Sequence, residues 1–153
     1  MTDFFTKSVN VLALAYAHTE DESLIPYFCK AADYFIEHLP KDSVPYWDFI
    51  YTDGDDEPRD SSAAAIAICG ILEMAKHIPE DKYGMKAYIG KAVDMLRSLI
   101  NGYATTVESG HEGLILHGTY AKPQGSSDTA TQFGDYYYLE ALVRATRDWV
   151  SYW

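Results

Sequence analysis

Two aspartates beside helix starts, a third next to a tryptophan in an aromatic loop, and an arginine are the residues with chemistry to offer. They are Asp48, Asp60 and Asp135, with Trp47, Arg59, His117, Tyr120 and Tyr136 nearby in the pattern. Carboxylates accept sugar hydroxyls, and aromatic faces stack on sugar rings. A pair of carboxylates on either side of a glycosidic bond is the usual acid–base machinery for breaking it. These residue types point to a carbohydrate cleft. Each also has a plainer structural use. Asp60 and Ser61 suit the N-cap of a helix, where side-chain oxygens accept otherwise unpaired N–H groups. Asp135 suits the cap of a later helix, Arg59 can pair with its neighbour Asp60, and Trp47 fits a core as well as a stacking platform. His117 has no second histidine at ligand spacing, so no metal is expected. Tyr136, Tyr137 and Tyr138 are consecutive and point in different directions around a helix. No P-loop and no nucleophile elbow is present.

The elements that must position these residues read as helices. The stretch Asp60 to Ile78 opens with Asp60, Ser61 and Ser62, continues through Ala63, Ala64, Ala65, Ala67 and Gly70, and is apolar on most sides. A helix apolar nearly all round is buried among others, and its small residues admit close neighbours. Phe4 to His18 is a first inner helix. Ser23 to Leu39 is an amphipathic outer helix with Leu24, Tyr27, Phe28, Ala31, Phe35 and Leu39 on one stripe, ended by Pro40. Lys41 to Arg59 is a long aromatic connection, the kind of loop that often carries function. Asp81 to Ile100 is a second outer helix, stopped by Asn101 and Gly102. Tyr103 to Thr131 is the least helical part, with one short strand or hairpin arm at Glu112 to Gly118. Phe133 to Trp153 is the last helix.

The first two hairpins repeat. Ala15 to Ser23 echoes Met74 to Lys82, and the Lys30 to Asp33 group echoes Lys91 to Asp94, an offset of about sixty residues. Each unit is an inner apolar helix, an acidic turn and an outer helix. A single hairpin cannot bury its own apolar face, so such repeats build solenoids or closed toroids. The expected class is all-α, with residues 1–153 as a single domain.

Composition narrows the partners. The chain has 153 residues and a formal net charge of −11, which disfavours nucleic acid and anionic membrane surfaces, since both need clustered cations. No apolar run reaches the roughly 18 residues of a membrane span. Cys29 and Cys69 have no metal spacing and read as buried free thiols, which fits a reducing, cytoplasmic setting.

Four motifs in order resemble the unsaturated glucuronyl hydrolases, glycoside hydrolase family 88: ALAY (Ala13 to Tyr16), VPYWDF (Val44 to Phe49), PRDSSAAAIA (Pro58 to Ala67) and GDYYYLEAL (Gly134 to Leu142). The resemblance runs from about residue 9 to 145. It implies an (α/α)6 toroid of six helical hairpins, of which this chain supplies about half. It also implies removal of a 4,5-unsaturated uronic acid from the non-reducing end of lyase-generated oligosaccharides. In that chemistry an aspartate protonates the C4=C5 double bond, water adds at C5 and the hemiketal collapses, with no metal or organic cofactor. The chain resembles the C-terminal part of the family, and both catalytic aspartates lie upstream. The family's Trp-x-Arg-Gly-Gln-x-Trp segment aligns with Met1 to Lys7, where Asp3 takes the place of the arginine. No catalytic residue is therefore assigned. Trp47, Asp48, Arg59, Asp60, His117, Tyr120, Asp135 and Tyr136 are expected to form the substrate-binding wall. The expected partners are an unsaturated uronic-acid oligosaccharide and either a second copy of the chain or a complementing upstream half. The other reading is a helical-hairpin module that holds a carbohydrate or a protein without turnover. An independent enzyme using Asp48, Asp60 or Asp135 ranks last.

Overall fold

A computed structural model describes the backbone of residues 2–150 and the side chains from Thr6 onward. The ordered elements are α1 (Thr2–Thr19), α2 (Ile25–Glu37), α3 (Ser61–His77), α4 (Met85–Ser98) and α5 (Gln132–Thr146). Among the described residues there is no strand, only isolated bridges. The expected arm at Glu112 to Gly118 is reduced to single bridges, Ala104 with Ile115 and Gly118 with Thr129.

α3 is the centre. The Asp60 carboxylate accepts from the N–H of Ala63 at 3.2 Å, which caps the helix as the sequence suggests. Every residue from Ser61 to Ile71 is buried. Gly70 shows why small residues are needed: a Cβ there would lie 2.7 Å from the Asn10 Cα. Tyr16 meets His77 edge-on at 6.0 Å, so α1 runs parallel to α3. On the other side a Cβ on Gly134 would lie 3.2 Å from the Ser62 Cβ, Cys69 reaches the Tyr137 carbonyl at 3.3 Å, and Glu73 pairs with Arg144. α5 is therefore parallel to α3 as well. The outer helices match in the same sense. Cys29 faces the Tyr83 carbonyl at 3.9 Å, and the Tyr88 hydroxyl donates to Asp33 at 2.7 Å. The result is a layer of three parallel inner helices backed by two parallel outer ones, as the sixty-residue repeat requires.

Several boundaries differ from expectation. A 3-10 turn at Glu22–Leu24 precedes α2, with Asp21 accepting from Ser23. α2 stops at Glu37, clear of Pro40, because a residue before proline is driven out of the helical region. Tyr27 leaves the buried stripe and is 62% exposed. α4 starts four residues late because Gly84, at φ +75°, caps it, and Tyr83 faces solvent at the turn. Asn101 and Gly102 do not stop the chain from coiling; it widens into a π-turn over Leu99–Tyr103 that keeps Leu99 buried. α5 ends at Thr146, whose hydroxyl bonds back to the Leu142 carbonyl, and Arg147 is extended. Trp153, the expected end of that helix, lies outside the described residues.

Candidate functional site

Parallel inner helices put the N-termini of α3 and α5, and the two long loops that lead into them, on one face. The loops are tied to the helix starts and to each other. The Ser61 N–H donates to the His117 carbonyl at 3.0 Å and its hydroxyl to the Leu116 carbonyl at 2.7 Å. Thr119 donates to the Arg59 carbonyl at 2.9 Å.

Most of the expected site residues hold this scaffold together. Asp60 is 2% exposed. Its carboxylate accepts from Ala63, from the Ser62 hydroxyl at 2.5 Å and from the Thr119 N–H at 3.4 Å. Arg59 turns to Asp42 at 3.1 Å rather than to Asp60, donates to the Val44 carbonyl at 2.6 Å, and lies 4.0 Å over the Tyr46 ring. The Tyr103 hydroxyl completes that cluster by donating to Asp42 at 2.8 Å; burial, then this bond, pushes its pKa up. Asp135 does not cap α5. Thr131 does, accepting from the Gly134 N–H, while Asp135 accepts from the N–H groups of Leu114 and Ile115 at 2.8 and 3.1 Å. Asp48 accepts from the Ile50 N–H at 3.3 Å inside its own turn.

Trp47 is half-buried and clasps the two loops. Its indole N–H donates to Glu57 at 2.8 Å, and Lys122 pairs with the same Glu57 carboxylate while lying 5.5 Å from the indole ring. His117 has left-handed backbone at φ +63°, as does Asp128 at φ +57°. The two side chains meet at 2.5 Å, and the imidazole lies edge-on to Tyr103. Non-glycine residues held in that region are uncommon, and here the His117–Asp128 contact pins both ends of the Gly118 to Thr129 bridge.

Tyr120 is the one expected residue that lines the pocket at this face. Its ring is 64% exposed and lies 6.1 Å from that of Phe133. Among the described residues the pocket, about 180 Å³, is walled by Lys7, Asn10 and Val11 of α1, Ile66 of α3, Phe133 and Tyr137 of α5, and Tyr120. Asn10 is 6% exposed, and among the described residues its carbonyl Oδ1 has no partner. Burial, and then Glu140, push the Tyr137 hydroxyl up in pKa, while the Asn10 amide opposes the rise. Tyr136 faces the opposite flank of α5, in a groove with Leu139, Val143 and Trp149; burial and Glu140 push its pKa up to about 12. Sequence reasoning missed Asn10, Phe133 and Tyr137. The signal for α1 was present, since Lys7 falls in the segment aligned with the family's Trp-x-Arg-Gly-Gln-x-Trp run. Asp3, the residue in the arginine's place, has no described side chain. Among the described residues no group of three or more metal-ligating side chains converges.

A two-layer array of parallel helical hairpins, with loops and an aromatic pocket at the N-terminal ends of its inner helices, defines a sector of an (α/α) toroid of the glycosidase type. No family model matches the chain. Curated relatives do. The unsaturated chondroitin disaccharide hydrolase of Streptococcus pneumoniae (strain ATCC BAA-255 / R6) is 47% identical over 143 residues, covering 93% of this chain and 36% of the relative. The unsaturated glucuronyl hydrolase of Bacillus sp. (strain GL1) is 40% identical over 125 residues, covering 81% and 33%. The crystal structure of a Streptococcus agalactiae unsaturated glucuronyl hydrolase mutant complexed with dGlcA-GalNAc6S superposes with a TM-score of 0.93 at 41% identity, covering 97% of this chain and 40% of that one. The chain is homologous to the C-terminal part of the unsaturated glucuronyl hydrolases. It spans about a third of the length of the curated relatives it matches.

Proposed function

We propose that this chain forms one wall of a cleft for an unsaturated uronic-acid oligosaccharide and does not turn that substrate over by itself. The observation that carries the reading is the pocket's composition. Among the described residues its walls hold aromatic rings, an amide and an ammonium group, and no carboxylate. Protonating a C4=C5 double bond requires an acid within hydrogen-bond reach of the carbon. Asp48, Asp60 and Asp135 are engaged with backbone N–H groups instead. This reading assigns the acid to a segment equivalent to the upstream part of the relatives. The pocket supplies what a wall needs, the Tyr120 and Phe133 rings for a sugar face.

The test is loss of ultraviolet absorbance from an unsaturated uronic-acid disaccharide, run beside a titration followed by shifts of tyrosine and asparagine resonances. The expected result is saturable shifts at Tyr120 and Asn10 with no loss of absorbance. Clear turnover by the chain alone would defeat the reading, and so would the absence of any shift.

Retention of a bound sugar without turnover is also what a non-catalytic module would do. The carboxylate-free aromatic pocket favours that alternative equally for the isolated chain, and restoring turnover with an upstream segment separates the two. No helix of the described residues is long and apolar enough to cross a membrane. Two free thiols, Cys29 and Cys69, support a cytoplasmic setting.

A further inference from the structure

Two neighbouring residues of α3 fix a polar pair in the wall of the pocket. A Cβ at Gly70 would lie 2.7 Å from the Asn10 Cα, so α1 is seated on α3 at Asn10. The Cys69 thiol donates to the Tyr137 carbonyl at 3.3 Å, so α5 is tied to α3 one residue away. Both held side chains line the pocket, together with Val11, Ile66, Tyr120 and Phe133. The Asn10 amide N–H faces the Tyr137 hydroxyl oxygen, the contact that opposes the rise in its pKa. The reverse amide orientation would leave a buried N–H unpaired, which is rarer than an unpaired carbonyl. With an N–H on its oxygen, the Tyr137 hydroxyl directs its proton elsewhere, and among the described residues no acceptor takes it. Burial first, then Glu140 and Cys69, hold this hydroxyl above its ordinary pKa of 10, so at neutral pH it is a donor.

We propose that Tyr137, held by Asn10, is a specificity-determining hydrogen-bond donor of this pocket, and that it reads an uncharged hydroxyl on the sugar face that stacks on Tyr120 and Phe133. The inference rests on the function proposed above and names the group of the oligosaccharide that the site recognises. The choice of a hydroxyl over a carboxylate or sulfate follows from the local field. Glu140 is close enough to disfavour the Tyr137 phenolate, and the Asn10 carbonyl beside it has no donor of its own. Both oppose a second anion at this spot, and neither opposes a neutral oxygen. A site built to bond one group of a ligand discriminates against the analogue that lacks it.

The experiment titrates the chain with an unsaturated uronic-acid disaccharide and its mono-deoxy analogues, followed by the Tyr120 ring resonances. Tyr137→Phe, which removes one oxygen, should weaken the disaccharide about tenfold, the weight of one hydrogen bond. One deoxy analogue should lose the same factor against wild type and nothing further against Tyr137→Phe, because the two changes remove a single interaction. Tyr83→Phe, at an exposed turn away from the pocket, should leave binding unchanged. Asn10→Leu should raise the Tyr137 pKa, read from its ring ζ-carbon, a change that a merely structural role would not produce. Equal affinity of wild type and Tyr137→Phe overturns the inference and leaves the proposed cleft standing. So does a Tyr137→Phe loss that no deoxy analogue shares, since the group recognised would then be the carboxylate. No binding of the disaccharide by the wild-type chain defeats the proposed function, and the inference with it.

Discussion

The two ends of the inner helices use charge differently. At the C-terminal end, Arg144 lies between Glu73 and Glu140, with side chains 2%, 7% and 9% exposed. Lys76 and His77 reach Glu73 at 3.3 Å each, and the Arg144 guanidinium lies 5.6 Å from the Trp149 ring. That network joins helix to helix. At the N-terminal end, Asp60, Asp135, Asp42 and Arg59 join loops to helices, mostly through backbone N–H and carbonyl groups. The first end behaves as a sealed hub, and the second as a set of separate ties. Disrupting the hub should unfold the array, whereas disrupting a tie should change the pocket face and leave the helices in place.

The largest effect is expected at Arg144. Arg144→Met leaves buried Glu140 without its cation and Glu73 with only Lys76 and His77, and removing one partner of a buried ion pair costs about 3–5 kcal/mol. Urea unfolding should show a loss of unfolding free energy of that size; a loss below about 1 kcal/mol, the range of surface pairs, would erase the contrast between the two ends. The same hub sets an acid response. Burial alone would raise the Glu73 pKa, but the Arg144 guanidinium, with Lys76 and His77, holds it below its ordinary 4.5. Protonation therefore favours the unfolded chain. The Glu73 contribution is full above about pH 4.5 and fades as pH falls through the lower folded value. Wild-type stability should fall across that window, and Arg144→Met should flatten the fall, as read from unfolding midpoints between pH 6 and pH 3.

Gly70→Ala comes next. The added Cβ would meet the backbone of Asn10 at 2.7 Å, and backbone cannot rotate away as a side chain can. Overpacking of this kind costs about 1–3 kcal/mol. An alanine tolerated without loss would mean that α1 and α3 have room to separate. Asp60→Ala should cost about 1–2 kcal/mol for the lost cap. It should also release Thr119, seen as faster amide exchange in the loop around Gly118 than in α4.

The inner helix α3 was readable because its signals are local: a cap residue, a run of small side chains and an apolar surface all round. The parallel inner layer was readable from the sixty-residue repeat. What escaped the sequence was long-range. Asp135 carries the signature of a cap, yet its carboxylate reaches back to Leu114 and Ile115, and the cap role goes to Thr131 four residues earlier. Arg59 has Asp60 beside it, yet Asp42, seventeen positions away, accepts its bond. Gly84 hides a left-handed cap in a stretch that looks helical from Asp81 on, and Asn101–Gly102 resembles a stop although burial of Leu99 carries the coil through it. Residue types in the candidate site were legible, and so was the face they share. Which of them spend their hydrogen bonds on the scaffold was not, because that depends on loops meeting across some sixty residues.

The smallest effect tests the tie at Trp47. Trp47→Phe keeps an aromatic ring beside Tyr51 and Lys122 but removes the N–H that donates to Glu57. The Glu57 carboxylate keeps Lys122 as its partner, so the global unfolding midpoint should stay within error of wild type. The local change should still be visible. The Glu57 pKa is lowered by Lys122 first and by Trp47 second, so losing the indole should raise it part of the way back toward its ordinary value, measured from its side-chain carbon resonance. Lys122→Ala should raise it further. If Trp47→Phe instead shifts the global midpoint as much as Asp60→Ala does, the pocket face is no longer a set of independent ties, and the two ends of the array differ less than their burial implies.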